Sequence, residues 1–184
     1  MDKLEFNSSE QEKSDKKRER IIRKMIKVSN KYLRRLNELS SLPYGLDYFI
    51  NILKRIYVDL EDIDHDEGVM TVGTYCVMVP QELIYASGAI PVKLCSGSYA
   101  GFNVGDEITP RDSCPLVKSV AGFYAMDLLP MYKSCSLTIV PTTCDCKKKM
   151  AYLISNYKDV IMLHVPTLKN NDESKENFLN DLYM

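Results

Sequence analysis

No stretch of this 184-residue chain is apolar for the roughly 20 residues that a membrane span requires, so no membrane role is expected. Nor does it open on the basic start, apolar core and small-residue cleavage site of a secretory leader. A disulfide framework is therefore not expected, and the cytoplasm, where thiols stay reduced, is the expected setting. There is no C-x-x-C pair. The close pair Cys144-Asp145-Cys146 lacks the second knuckle of a structural zinc site. A G-x-S-x-G nucleophile elbow is missing, which argues against a hydrolase of that kind. Gly97, Gly101 and Gly105 form no dinucleotide fingerprint at a strand-to-helix turn.

The net charge of −1 conceals an asymmetry. Lys13 to Arg35 holds eleven Lys and Arg against Asp15 and Glu19, whereas Asp59 to Glu67 is almost wholly acidic. Ile21, Ile22, Met25, Val28, Tyr32 and Leu36 form an apolar stripe through the basic stretch. That pattern belongs to an amphipathic helix packed on a neighbour. Without a reader motif or interleaved aromatics, nucleic acid is not an expected partner.

What the chain does have is six cysteines, all from Cys76 onward: Cys76, Cys95, Cys114, Cys135, Cys144 and Cys146. Reduced thiols serve either as small buried hydrophobes or as soft ligands for a metal or cluster. Their positions along the fold are the first test between the two.

Residues 1 to about 12 read as a polar, frayed end. A helix is predicted over Ser14–Leu39 and another over Gly45–Leu60, where Leu46, Phe49, Ile50, Leu53, Ile56 and Tyr57 recur at helical spacing. Glu61 to Gly68 reads as an acidic connector carrying His65 on its surface. Beyond it the rhythm changes. Strands are predicted at Val69–Tyr75, Ile90–Leu94, Leu137–Pro141 and Val160–Val165. Helices are predicted at Pro80–Ser87, Pro115–Leu128 and Asp145–Asn156, with a Gly- and Ser-rich loop over Cys95–Asp112. Phe178, Leu179 and Leu182 begin one more amphipathic segment. Such alternation predicts an α/β fold, a Rossmann-like parallel sheet of about four strands with flanking helices, preceded by two N-terminal helices. The expected division is a helical region over 1–67, a sheet domain over 68–168 and the start of a further helical segment over 169–184.

Open parallel sheets hold ligands beyond the carboxyl ends of their strands. On the predicted elements Cys76 follows the first strand, Cys95 the second, and Cys144 and Cys146 the third, while Cys114 stands at the mouth of a helix. Cys135 alone precedes its strand and reads as structural. Cys76, Cys114 and Cys144 are each expected to open a helix, where partial positive charge favours the thiolate. Cys95, followed by Ser96-Gly97-Ser98, ranks lower, and Cys146 beside Lys147-Lys148-Lys149 reads as a supporting thiol. His164 ends the fourth strand, either near the site or as a satisfied strand-end histidine. Dispersed thiolates gathered by a fold suit an iron–sulfur cluster better than zinc.

The segments GTYCVMVPQELIYASGAIPVKLCSGS and RDSCPLVKSVAGFYAMDLLPMYKSCSLTIVPTTCDCKKKMAYLI resemble the 2-hydroxyacyl-CoA dehydratase and benzoyl-CoA reductase family, and CPLVKS with its preceding glycine-rich loop is most similar to the double-cubane-cluster branch. The likeness runs from about Gly73 to Pro166. It implies Rossmann-like domains holding an iron–sulfur cluster, of four irons and four sulfurs or a double cubane. It implies an ATP-hydrolysing activator protein that feeds in low-potential electrons, a homologous or identical partner subunit, and a CoA-thioester or small-molecule substrate for lyase or reductase chemistry. Cys76 and Cys114 correspond to the family's first two cysteine motifs and Cys144 to its T-T-C-D motif. These three are the implied cluster ligands, and Glu82 in the P-x-E-L-I position is implied to be structural, capping a helix start. Family subunits are about twice this length, so the chain reads as the amino-terminal half of one. The other readings are a non-catalytic remnant or assembly module that binds a partner subunit, and a zinc-binding structural domain.

Overall fold

The computed structural model describes residues 8–62, 68–95, 97–166, 168 and 170–183. His65 and the middle of the acidic connector lie outside the described residues, as do the first seven residues.

Two helices come first, α1 (Ser8–Asn37) and α2 (Leu46–Tyr57). The α1 helix starts earlier than the sequence pattern predicts, aided by the Lys16–Glu12 pair at 2.6 Å, one helical turn apart. Met25 is buried and Ile21 and Ile22 pack on the main core, whereas Val28 and Tyr32 further along the stripe stay exposed. Arg18 fixes the helix in place by donating to the carbonyls of Met126 and Asp127 at 3.0 Å.

The sheet consists of β1 (Thr71–Thr74), β2 (Ile90–Lys93), β3 (Leu137–Pro141) and β4 (Val160–Leu163). All its pairings are parallel and the spatial order is β2-β1-β3-β4. Between the strands lie α3 (Gln81–Ala86), α4 (Tyr99–Ile108), α5 (Pro115–Met126), α6 (Pro130–Ser134) and α7 (Asp145–Ile154), and α8 (Asp172–Leu182) follows β4. The α/β architecture read from the strand–helix alternation is the one observed.

Side-chain alternation divides the sheet into two faces. Val72 with Leu137 and Ile139 packs beneath Ile84 of α3. The other face carries Val92, Thr138 and Val140, and the main core forms there with Val120 and Phe123 of α5 and Met150 and Ile154 of α7. Gly73 lies on this second face because a Cβ would press on Leu94 and Thr138. The chain thus crosses from β1 to β2 over one face and from β2 to β3 over the other, in opposite directions.

Two helices depart from the pattern reading. The stretch predicted as a loop from Cys95 to Asp112 contains α4, and α6 lies where the pattern predicts no element. Glycines normally weaken a helix, but Gly101 and Gly105 of α4 lie directly against the backbones of Ser119 and Lys118 in α5. Tertiary packing, not propensity, makes α4 a helix.

Candidate functional site at the carboxyl edge of the sheet

The strand order reverses at β1. From there the chain runs outward to β2, then returns to β3 on the other side. The resulting switch point lies between the carboxyl ends of β1 and β3, where open α/β sheets hold their ligands. Cys76 lies just beyond β1 and Cys144 just beyond β3, so the two flank that crevice.

The expectation that Cys76 opens a helix is corrected by the structure. Cys76 sits in a tight turn with φ 67°, and α3 begins only at Gln81, after Pro80. This turn aims backbone N–H groups at the thiol in place of a helix end. Burial opposes ionisation of Cys76, but the Met78 N–H, the Lys147 side chain and the Val77 N–H outweigh it and lower the thiol below its ordinary value. Lys147, in the first turn of α7, also donates to Thr143 Oγ1 at 2.7 Å, so it bridges the β1 and β3 ends of the crevice.

Cys95 is closer to Cys76 than its place in the sequence suggests. Its sulfur accepts a hydrogen bond from the Cys76 N–H at 3.4 Å. Cys114 and Cys144 do stand at helix starts, as the N-caps of α5 and α7. Both are exposed. The α5 start reaches this edge because Ser119 donates to the Ser98 carbonyl at 2.9 Å, and Gly97 faces Leu116. Cys146 is half-buried against the main core. Cys135 has no exposed surface and donates to the Met131 carbonyl at 3.2 Å. Burial pushes its thiol up to about 11, Asp62 adding to the shift and Lys158 opposing it, so it remains protonated and inert.

His164 at the end of β4 is a partnered strand-end histidine. Its ring Nδ1 lies 2.9 Å from Asp181 Oδ2, and its backbone N–H donates to the same oxygen at 2.8 Å. The contact ties α8 to the sheet. Glu82 lies in the first turn of α3, where its charge suits the helix dipole, and the Pro80 cap offers no side-chain bond.

Among the described residues no three of Cys, His, Asp and Glu stand together as a metal-holding group. The structure pairs Cys76 with Cys95 and distributes Cys114 and Cys144 along the same edge, without drawing Cys76, Cys114 and Cys144 into one cage. In kind, the donors fit an iron–sulfur cluster: soft thiols on loops, one already biased toward thiolate. Sequence reasoning missed Lys147 as the neighbour of Cys76 and Cys95 as its contact. The second was available from spacing, since both cysteines fall two residues beyond paired strand ends.

The fold and edge define an open parallel α/β protein with a thiol-lined crevice at its switch point. Comparison with known proteins gives the family. The family model for the 2-hydroxyglutaryl-CoA dehydratase D-component matches residues 76–183, and the chain belongs to that family. It is also 34% identical over 137 residues to YjiM of Escherichia coli (strain K12), whose name calls it a dehydratase subunit. That match covers 74% of this chain and 36% of YjiM, so the chain spans little more than a third of that relative's length. Among the described residues no helix is long and apolar enough to cross a membrane.

Proposed function

We propose that this chain is the iron–sulfur portion of a dehydratase-type subunit, with Cys76, Cys114 and Cys144 holding the cluster. The supporting observation is Cys76 itself, placed at the sheet's switch point with its thiol lowered by the Met78 N–H and Lys147. Such a cluster supplies single-electron transfer at low potential. The chain's own residues supply the thiolates, a cation at Lys147 that offsets their charge, and the rigid strand ends that carry them. An ATP-dependent activator protein would deliver the electrons, and a homologous or identical subunit would complete the crevice around a CoA-thioester or small-molecule substrate. A cytoplasmic setting keeps the thiols reduced.

Electron acceptance is the test. After anaerobic loading with iron and sulfide, one-electron reduction by titanium(III) citrate should give a paramagnetic cluster signal in electron paramagnetic resonance. A folded protein that takes up no iron and gives no signal would instead support the reading as a partner-binding module without redox chemistry.

A further inference from the structure

The β1–β2 ladder pairs Thr71 with Ile90 and continues in register to Thr74 with Lys93. The Leu94 N–H still donates to the Thr74 carbonyl at 3.0 Å, so the alignment persists past the last paired residues. Two residues beyond the last paired residues, Thr74 and Lys93, come Cys76 and Cys95. The left-handed turn at Cys76 directs its amide onto the Cys95 sulfur, at 3.4 Å. Neighbouring strands lie about 4.8 Å apart. Partners at that spacing fall inside the range of about 4.4 to 6.8 Å between Cα atoms that a disulfide spans, and the contact of the Cys76 amide with the Cys95 sulfur keeps the two residues adjacent beyond the strand ends.

We propose that Cys76 and Cys95 form a reversible disulfide in the metal-free protein when it meets hydrogen peroxide. The inference needs no bound cluster and adds a modification site to the edge described above. In the first step one thiolate attacks peroxide, the O–O bond breaks, and a sulfenic acid and hydroxide result. In the second, the neighbouring thiol attacks that sulfur, a sulfur–sulfur bond forms, and the sulfenic oxygen leaves as water. Overall, two thiols are oxidised and one peroxide is reduced to two waters. A dithiol such as dithiothreitol reverses the change by exchange, becoming oxidised itself.

Cys76 and Cys95 are in direct contact through the Cys76 N–H and the Cys95 sulfur. Cys144 is the extended N-cap of α7, whereas Cys146 lies within its first turn and packs against the main core. Cys135 is buried before β3 and bonded to the Met131 carbonyl. Cys95 is exposed and Cys76 half-exposed, so peroxide reaches both. The bond would hold the ends of β1 and β2 together and stop either thiol from passing to the irreversible sulfinic acid.

The test uses the full chain, stripped of metal by a chelator, reduced, treated with stoichiometric hydrogen peroxide and quenched with iodoacetamide. Peptide mapping without reductant should find Cys76 joined to Cys95 as the main cross-link, lost on dithiothreitol treatment. In Cys95→Ser, dimedone should trap a sulfenic acid at Cys76 several-fold more than in the parent protein. Alkylated or sulfinic Cys76 and Cys95 with no link between them, or a dominant link elsewhere, would overturn the proposal. Mapping of the parent protein decides the question even if the variant does not fold.

Discussion

Lys118 of α5 reaches across the helical hairpin to Asp106 of α4, Nζ to Oδ1 at 2.5 Å, and also donates to the Arg111 carbonyl at 2.8 Å. The lysine is 5% exposed, its carboxylate partner half-exposed. The pair closes the turn that leads into Cys114, one helical turn before Lys118. Removing the carboxylate leaves a buried ammonium with the Arg111 carbonyl and the Phe102 ring, its centroid 5.7 Å away, but no countercharge, whereas removing the lysine leaves a carboxylate that water can solvate. Asp106→Ala should therefore cost about 2–3 kcal/mol in urea unfolding, and Lys118→Met about 1 kcal/mol or less.

The approach of α4 to α5 gives a second expectation. A Cβ at Gly105 would run into the Lys118 carbonyl, and one at Gly122 into the Gly101 carbonyl. Backbone cannot step aside as a flexible side chain does. Gly105→Ala should destabilise by about 3 kcal/mol or more, at the upper end of overpacking effects, and lower the thermal midpoint seen by circular dichroism. Gly97→Ala, whose Cβ would meet, among the described residues, Leu116 at an ordinary contact of 3.7 Å, should leave that midpoint nearly unchanged.

These helices also mark where the sequence is hardest to read. The strands β3 and β4 lie in largely apolar runs bounded by turn residues, and β3 begins and ends where the pattern puts it, at Leu137 and Pro141. By contrast, YAGFNVG within α4 carries two glycines and resembles a loop until α5 is packed against it. The thiols divide in the same way. Cys114 and Cys144 could be placed from the proline or the acidic residue that follows each at a helix start. The Cys76 turn could not, because only φ shows that a non-glycine residue takes the left-handed region there. Lys147 is hidden in a run of three lysines, and nothing local distinguishes it from Lys148, which pairs instead with Asp145 at 3.6 Å.

Thiol titration follows from the same contacts. With Cys76 lowered and Cys135 raised to about 11, alkylation of Cys76 should reach its plateau at lower pH than that of Cys135. Cys135 should stay unlabelled below about pH 9 until the protein is unfolded. Lys147→Met removes a cation that favours the thiolate, so the Cys76 inflection should move to higher pH and its labelling at neutral pH should slow. Mass spectrometry of iodoacetamide-labelled peptides across a pH series reads both effects.

Tyr75 supplies a stability test beneath the site. Its hydroxyl is fully buried beside that of Tyr124 and, among the described residues, makes no hydrogen bond of good geometry; burial, reinforced by the neighbouring Tyr132 and Tyr124, raises its pKa well above the ordinary phenol value. Tyr124 is better provided for, its hydroxyl 2.9 Å from Thr138 Oγ1. Tyr75→Phe removes an unsatisfied polar atom while keeping the ring, so it should be neutral or stabilising by up to about 1 kcal/mol. A chemical unfolding curve shifted clearly to lower denaturant would contradict that assignment.

On the proposed function, the sheet's carboxyl edge would hold an iron–sulfur cluster through Cys76, Cys114 and Cys144. The most direct measurement is iron and acid-labile sulfide per chain after anaerobic loading, for the parent protein and for Cys76→Ser, Cys114→Ser, Cys144→Ser and Cys135→Ser. Circular dichroism would confirm that each variant is folded. Stoichiometric iron and sulfide are expected in the parent and in Cys135→Ser, and their loss or sharp reduction in the other three. Iron retained equally by all the variants, or bound by none of these folded proteins, would contradict it.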